Sequence, residues 1–84
     1  MMRVLYFAWV REAVGADEET VSPPPEVATV ADLIDWLSGR SDGHARAFAD
    51  RSRLRAAVDQ AFVPLDASVE GATEVAIFPP VTGG

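Results

Sequence analysis

Thr29-Val30-Ala31-Asp32-Leu33-Ile34-Asp35-Trp36-Leu37-Ser38-Gly39-Arg40 is the one stretch of this chain with an unmistakable helical period, and its place between strand-like runs decides the fold. Thr29 is the expected N-cap, and Asp32 three residues on approaches the capping-box pattern while suiting the positive end of a helix dipole. Leu33, Ile34 and Leu37 recur on one helical face and Asp32 and Asp35 fall elsewhere, so the segment predicts an amphipathic helix laid on a sheet. Gly39 and Arg40 mark its end.

Working outward toward the N-terminus, residues 22–25, Ser-Pro-Pro-Pro, form a stiff connector with too little chain on either side to separate two cores. Residues 17–21 read as a short acidic edge strand. Residues 11–15 fit one helical turn closed by Gly15, and residues 3–10, nearly continuous in apolar types, read as a buried central strand. Toward the C-terminus, residues 41–53 are polar, with a short helix expected around 46–50 and His44 on the surface. Residues 54–58 resume strand alternation, Asp59-Gln60 is a tight turn into Ala61-Phe62-Val63, Gly71 supports a further turn, and residues 74–78 make the last strand.

The expected order is β-β-α-β-β-β, an α+β domain with one main helix on a mixed sheet of about five strands. One helix covers one sheet face. If Val4, Tyr6, Leu54, Ala56, Val58, Val75 and Ile77 point toward Leu33, Ile34 and Leu37, the pleat sends Phe7, Phe62 and Phe78 to the other side. Three aromatic rings on an uncovered face predict a partner interface.

Composition bounds what such a domain does. At 84 residues it is a single domain with no room for a core plus an enclosed active site. No apolar run approaches the ~20 residues of a membrane span and no signal peptide is read, so a soluble, cytoplasmic protein is expected. Cysteine is absent, which removes disulfides, thiol nucleophiles and thiolate metal sites. Thirteen acidic residues against seven basic ones give a net charge of −6, which repels nucleic acid and suits a basic protein partner. The basic cluster Arg46, Arg51, Arg53, Arg55 is broken by Asp50, lacks interleaved aromatics and reads as a solvated face. Trp9 and Trp36 read as partly buried packing residues. His44 has no second ligand at metal-binding spacing, the carboxylates scatter over caps and turns, and no phosphate-binding glycine loop occurs. Any catalysis must be borrowed from partners.

One reactive group remains. The chain ends Pro79-Pro80-Val81-Thr82-Gly83-Gly84, so residues 1–78 read as the domain and 79–84 as an extended tail. Glycines without Cβ can thread a narrow channel, and the prolines favour an extended departure from the fold. The four residues after Pro80 reach roughly 13–14 Å at about 3.4 Å each, enough to enter a partner's active site.

Val4-Leu5-Tyr6-Phe7-Ala8-Trp9-Val10-Arg11-Glu12, Ala56-Ala57-Val58-Asp59-Gln60 and, above all, Glu74-Val75-Ala76-Ile77-Phe78-Pro79-Pro80-Val81-Thr82-Gly83-Gly84 resemble the small, sulfur-carrying subunits of molybdopterin synthase. Asp59 stands where that family often has asparagine. The resemblance implies the ubiquitin-like β-grasp fold and a role as the sulfur-donating subunit of a sulfurtransferase complex, with no catalytic residues of its own. It implies that an adenylating, E1-like activating enzyme uses ATP to convert the Gly84 carboxylate into an acyl-adenylate. A sulfur donor protein then displaces AMP to leave a thiocarboxylate. The large catalytic subunit receives this tail, sulfur passes to cyclic pyranopterin monophosphate, and two copies of each subunit form the complex. Gly84 is thereby the covalent site and Gly83 the clearance residue; Phe7, Phe62 and Phe78 match the contact surface, and Arg11 a polar contact to the activating enzyme. No tightly bound cofactor and no metal are implied. The same fold and tail also serve sulfur carriers for thiamine, cysteine or RNA thiolation and ubiquitin-like modifiers, and a non-covalent binding module is the remaining alternative.

Overall fold

The structure, a computed structural model, describes residues 1–80; residues 81–84, which include the expected Gly83 and Gly84 sites, lie outside the described residues. Five strands, β1 (Met2–Tyr6), β2 (Glu18–Val21), β3 (Arg55–Val58), β4 (Ala61–Val63) and β5 (Glu74–Phe78), join in one mixed sheet of order β2-β1-β5-β3-β4. β1 and β5 run parallel at its centre, with Val4 opposite Val75 and Tyr6 opposite Ile77, and every other pairing is antiparallel. With α2 (Val30–Ser38) laid across one face, this is the β-grasp arrangement that the resemblance implies.

α2 starts where its sequence says it should. Thr29 Oγ1 accepts from the Asp32 backbone N–H at 3.1 Å while Asp32 Oδ2 accepts from the Thr29 N–H at 3.2 Å, a complete capping box. A second bond from the Ala28 N–H, together with those at Thr29, holds the Asp32 carboxyl below its ordinary range. The next two orphan donors are met from outside the helix: the Val30 N–H reaches the Ala67 carbonyl at 2.9 Å and the Ala31 N–H that of Leu65 at 2.8 Å. The segment after β4 is thereby tied to the helix start. Leu33, Ile34 and Leu37 are fully buried against Val4, Tyr6, Val75, Ile77, Leu54 and Ala56, each such side chain contributing about 1.5–3 kcal/mol by removal from water.

The apolar run at residues 3–10 does not stay a strand. β1 ends at Tyr6, Ala8 takes a left-handed backbone (φ 53°), and α1 (Ala8–Val14) follows, closed by Gly15 at φ 89°. Continuous hydrophobicity fits a buried strand and a buried helical turn alike, and here Val10 enters the core from α1. The polar stretch also differs from its expectation. The short helix, α3, spans Asp42–Ala47 under a Ser41 cap, several residues earlier than 46–50, and a 3-10 turn covers Arg51–Arg53. Phe48 is buried in the core. Gly43 permits the close approach of α3 to α1, because a Cβ there would strike the Ala13 carbonyl oxygen.

That earlier start corrects the placement of His44, which is buried and not on the surface. Its Nε2 lies 2.6 Å from Glu19 Oε1, its Nδ1 lies 2.7 Å from Ser41 Oγ, and the buried Tyr6 hydroxyl donates to the same Glu19 oxygen at 2.8 Å. An ionised Glu19 only accepts, so Nε2 carries the proton it shares with that carboxylate. Burial, then the bond to Glu19, pushes the Tyr6 hydroxyl up. Burial also pushes Glu19 up, but the bonds from His44 and Tyr6 and the charges of His44 and Arg40 outweigh it, and the carboxyl sits below its ordinary value.

Because folding lowers the Glu19 pKa, its stabilisation is present above the ordinary glutamate value of about 4.3 and is lost as pH falls through the folded value. Glu19→Gln should cost about 1–3 kcal/mol in urea unfolding at neutral pH. The gap to wild type should narrow below pH ~4, where the wild-type carboxylate is protonated.

The turn between β3 and β4 has Asp59 (φ 48°) and Gln60 (φ 73°) both left-handed, the two-residue hairpin geometry that matches strand twist. Asp59 Oδ1 accepts from the Thr73 and Glu74 N–H groups at 3.0 Å each, and its own N–H donates to the Glu74 carbonyl. One side chain thus joins the hairpin to the start of β5. Asp59→Asn, which keeps an acceptor oxygen, should leave thermal stability nearly unchanged, whereas Asp59→Ala should lower it by roughly 1–3 kcal/mol.

Candidate functional site

Strand alternation divides the sheet into two unlike faces. Val4, Tyr6, Ala56, Val75 and Ile77 face the helices, so Leu5, Arg55, Ala57, Ala76 and Phe78 face away. Register lines up Phe62, Ala57, Ala76 and Leu5 across four strands, and places Arg55 opposite Phe78 in the next row. Two small alanines at the centre make a flat floor between larger neighbours.

Phe62 is 84% exposed and its ring centroid lies 5.7 Å from that of Phe78, tilted by 54°. Together with Arg55, Ala56 and Val63 the pair bounds a groove of about 260 Å³ beside the C-terminal end of β5. Phe78 itself is half-buried, and Pro79 and Pro80 continue from it directly, also partly buried. An apolar groove therefore adjoins the root of the tail.

The expected aromatic trio is brought together only in part. Phe62 and Phe78 meet on the open face, whereas Phe7 stands at the start of α1, 48% exposed, and pairs with neither ring among the described residues. Its neighbour in the helix explains the difference: Ala8 turns the chain out of the sheet immediately after Phe7. Arg11 is exposed one helical turn further on, beside Glu12, Gly15, Ala16 and Asp17, with no carboxylate within ion-pair distance among the described residues. Gly83 and Gly84 lie outside the described residues.

Two contacts near the tail root have no counterpart in the sequence reading. Arg53 lays its guanidinium over Trp9, 4.7 Å from the ring centroid, and Arg55 donates from Nη1 to the Leu54 and Ser52 carbonyls at 2.8 and 3.3 Å. The basic cluster is thus split, since Arg51 pairs with Asp35 at 2.6 Å and donates to the Phe48 carbonyl. Trp9 and Trp36 are partly buried packing residues, as expected, each beneath an arginine. Arg51, Arg53 and Arg55 share one parity around Leu54, so strand alternation alone could not separate them; the 3-10 turn Arg51–Arg53 does.

Chemically, the described surface can bind and aim, and its groups suit docking of an apolar side chain beside the tail. Among the described residues no group of three or more histidines and carboxylates is placed to hold a metal ion, and no helix is long and apolar enough to cross a membrane.

Comparison with known proteins agrees with this fold. Residues 4–84 match the ThiS family. Over 84 residues, and 100% of both chains, the sequence is 44% identical to the molybdopterin synthase sulfur carrier subunit of Escherichia coli (strain K12). It is 36% identical, again over 100% of both, to the subunit of the same name from Haemophilus influenzae. Among solved structures, the putative molybdopterin converting factor, subunit 1, from Pyrococcus furiosus superposes with a TM-score of 0.72 at 31% identity, over 95% of this chain and 97% of that one. SAMP1 from Haloferax volcanii does so with a TM-score of 0.72 at 27% identity, over 99% and 98%.

Phe62 is the cleaner probe of the open face, because so exposed a ring adds little to the isolated fold. Phe62→Ala should shift thermal stability by less than about 0.5 kcal/mol while weakening binding to a protein that docks here by on the order of 1–3 kcal/mol, read by calorimetry.

Proposed function

Because the chain belongs to the ThiS family and, within it, to the molybdopterin synthase sulfur carrier subunits, we propose that its Gly84 carboxylate carries the sulfur from which molybdopterin is made. The observation that carries this reading is the 44% identity along the entire length of a molybdopterin synthase sulfur carrier subunit. The groove beside Phe78 supports it physically: a partner seated on Phe62 and Phe78 sits next to the root of the tail and receives whatever the tail bears.

The carboxylate needs activation before it can take sulfur. With a pKa near 3.3–3.7 a C-terminal carboxyl is an anion at neutral pH and a poor electrophile. An adenylating enzyme joins it to the α-phosphate of ATP and releases pyrophosphate, which makes the carbonyl carbon electrophilic. Sulfide-level sulfur from a donor, supplied with a thiol reductant where it arrives as a persulfide, attacks that carbon, the bond to AMP breaks, and a thiocarboxylate remains. In the active site of the large subunit the sulfur becomes the nucleophile toward a side-chain carbon of cyclic pyranopterin monophosphate, where a carbon–sulfur bond forms as a carbon–oxygen bond breaks. When the carbon–sulfur bond to the tail is hydrolysed, the Gly84 carboxylate returns, ready for another cycle. Gly83 contributes by having no side chain at the narrowest part of the entry. Arg11, exposed on α1, serves as a polar contact for the activating enzyme. Two copies of each subunit supply the two sulfurs of one dithiolene.

The fold likeness to SAMP1 and small archaeal modifier protein 1 structures from Haloferax volcanii favours one second reading: a modifier whose C-terminus is joined to protein amines. This chain contains no lysine, so no side-chain amine of its own could accept such a bond.

Incubation with ATP, the adenylating enzyme and a sulfur donor should raise the intact mass by the replacement of one oxygen with sulfur, and a chain lacking Gly84 should remain unchanged though folded. Adding the large subunit and the pterin precursor should then yield molybdopterin and the original mass. Full product formation by the shortened chain would end the carrier reading, and accumulation of Gly84 on lysine amines without molybdopterin would favour the modifier.

A further inference from the structure

Arginine is the only basic residue type here besides His44, and the seven arginines are not equivalent. Arg3, Arg40 and Arg51 have a carboxylate within 4.0 Å; Arg11, Arg46, Arg53 and Arg55 have none among the described residues. Arg53 and Arg55 share one location. In the sheet β5 lies between β1 and β3, α1 continues from β1, and the 3-10 turn Arg51–Arg53 leads into β3. A contact that joins α1 to that turn therefore spans the C-terminal end of β5. The stack of Arg53 on Trp9 is such a contact. Arg55, opposite Phe78 in register, borders the same end from the open face and lines the aromatic groove.

Both guanidinium groups are fixed without a carboxylate within ion-pair distance among the described residues. Asp50 nonetheless lies near Arg53, its carboxyl held low first by the bonds from Ser52 and then by the charge of Arg53. The indole holds Arg53 by its ring face, and backbone carbonyls of Leu54 and Ser52 hold Nη1 of Arg55. Asp50, the acidic residue of this segment, directs its Oδ1 to the Ser52 backbone N–H and hydroxyl at 3.0 and 2.5 Å. Elsewhere the surface is dominated by carboxylates, since the whole chain carries a net charge of −6.

From this we infer that Arg53 and Arg55 form a cationic rim at the root of the tail that receives an acidic segment of the large subunit. The inference rests on the carrier reading above and adds the charge of the partner surface, opposite to what the net charge alone suggests. A carboxylate-bearing surface is repelled by most of this molecule and attracted at the rim, so encounter is oriented toward the one end where the tail can enter. The groove beside Arg55 then takes an apolar side chain adjoining those carboxylates. Arginine suits the task, because its planar fork can bind a carboxylate while its face stacks on an indole.

The test measures association of the full-length chain with the large subunit at low and at high ionic strength. Arg53→Gln and Arg55→Gln together should reduce the association rate at low salt by about ten-fold, with the difference shrinking at high salt. Arg53→Lys should restore most of the rate lost in Arg53→Gln. Gln60→Glu, a change of one charge unit in the hairpin turn at the far end of β3, should move the rate little. Thermal unfolding of each variant separates loss of the Trp9 stack from loss of charge, because destabilisation alone would not depend on salt in this way. A double variant that associates within two-fold of wild type at low salt, or loses as much at high salt as at low, would overturn the rim. Absence of wild-type binding under both conditions would overturn the carrier reading and the rim with it.

Discussion

The parallel pairing of β1 with β5 is the constraint on which the rest of the molecule depends. It joins the first strand of the domain to the last at the sheet centre, so the chain between them must supply both the outer strands and the helices that cover one face. Parallel neighbours cannot be linked by a tight turn, and the intervening chain supplies α2, α3 and the β3–β4 hairpin. The same pairing directs the end of β5 to the edge where β1 turns into α1. Pro79 and Pro80 therefore follow directly from a central strand. A tail rooted on an edge strand would inherit that strand's fraying, whereas β5 is held on both sides.

The two faces of the sheet are covered unequally. α2 and Val10 of α1 bury one face, and among the described residues no helix lies over the other. The uncovered face has Ala57 and Ala76 at its centre, with Leu5 to one side and the aromatic rings Phe62 and Phe78 together beside Pro79. The Arg3–Glu74 ion pair sits at the other end of the same face and is exposed enough to add little to stability. Polar and apolar ends of one face thus differ in what they can bind, and the apolar end is the one next to Pro79. Tight internal bonding at the Glu19, His44 and Tyr6 cluster holds β1, β2 and α3 in register beneath this surface.

Much of this was legible in the sequence because short-range chemistry fixes it. The α2 cap, its apolar face, the hairpin at Asp59-Gln60, the last strand and the split of Val75 and Ile77 from Phe78 all follow from period and local hydrogen bonding. Where sequence reading went astray, the local signal fitted two structures. Residues 3–10 are apolar enough for a strand throughout, and only packing of Val10 into the core from a helix separates α1 from β1. His44 and Phe48 lie in a polar segment whose periodicity is too short to register, and their burial comes from Tyr6 and Glu19, which are distant in sequence.

By itself the sequence determined the fold class, the central helix and the kinship with sulfur carrier subunits, since each rests on residue types at fixed spacing along the chain. Only the tertiary structure decided that Phe62 and Phe78 share a groove while Phe7 stands apart, and that Arg53 and Arg55 flank the tail root. Those relations depend on which strands become neighbours and on where the chain leaves the sheet. Strand order is set by packing over the whole domain, and no local spacing records it.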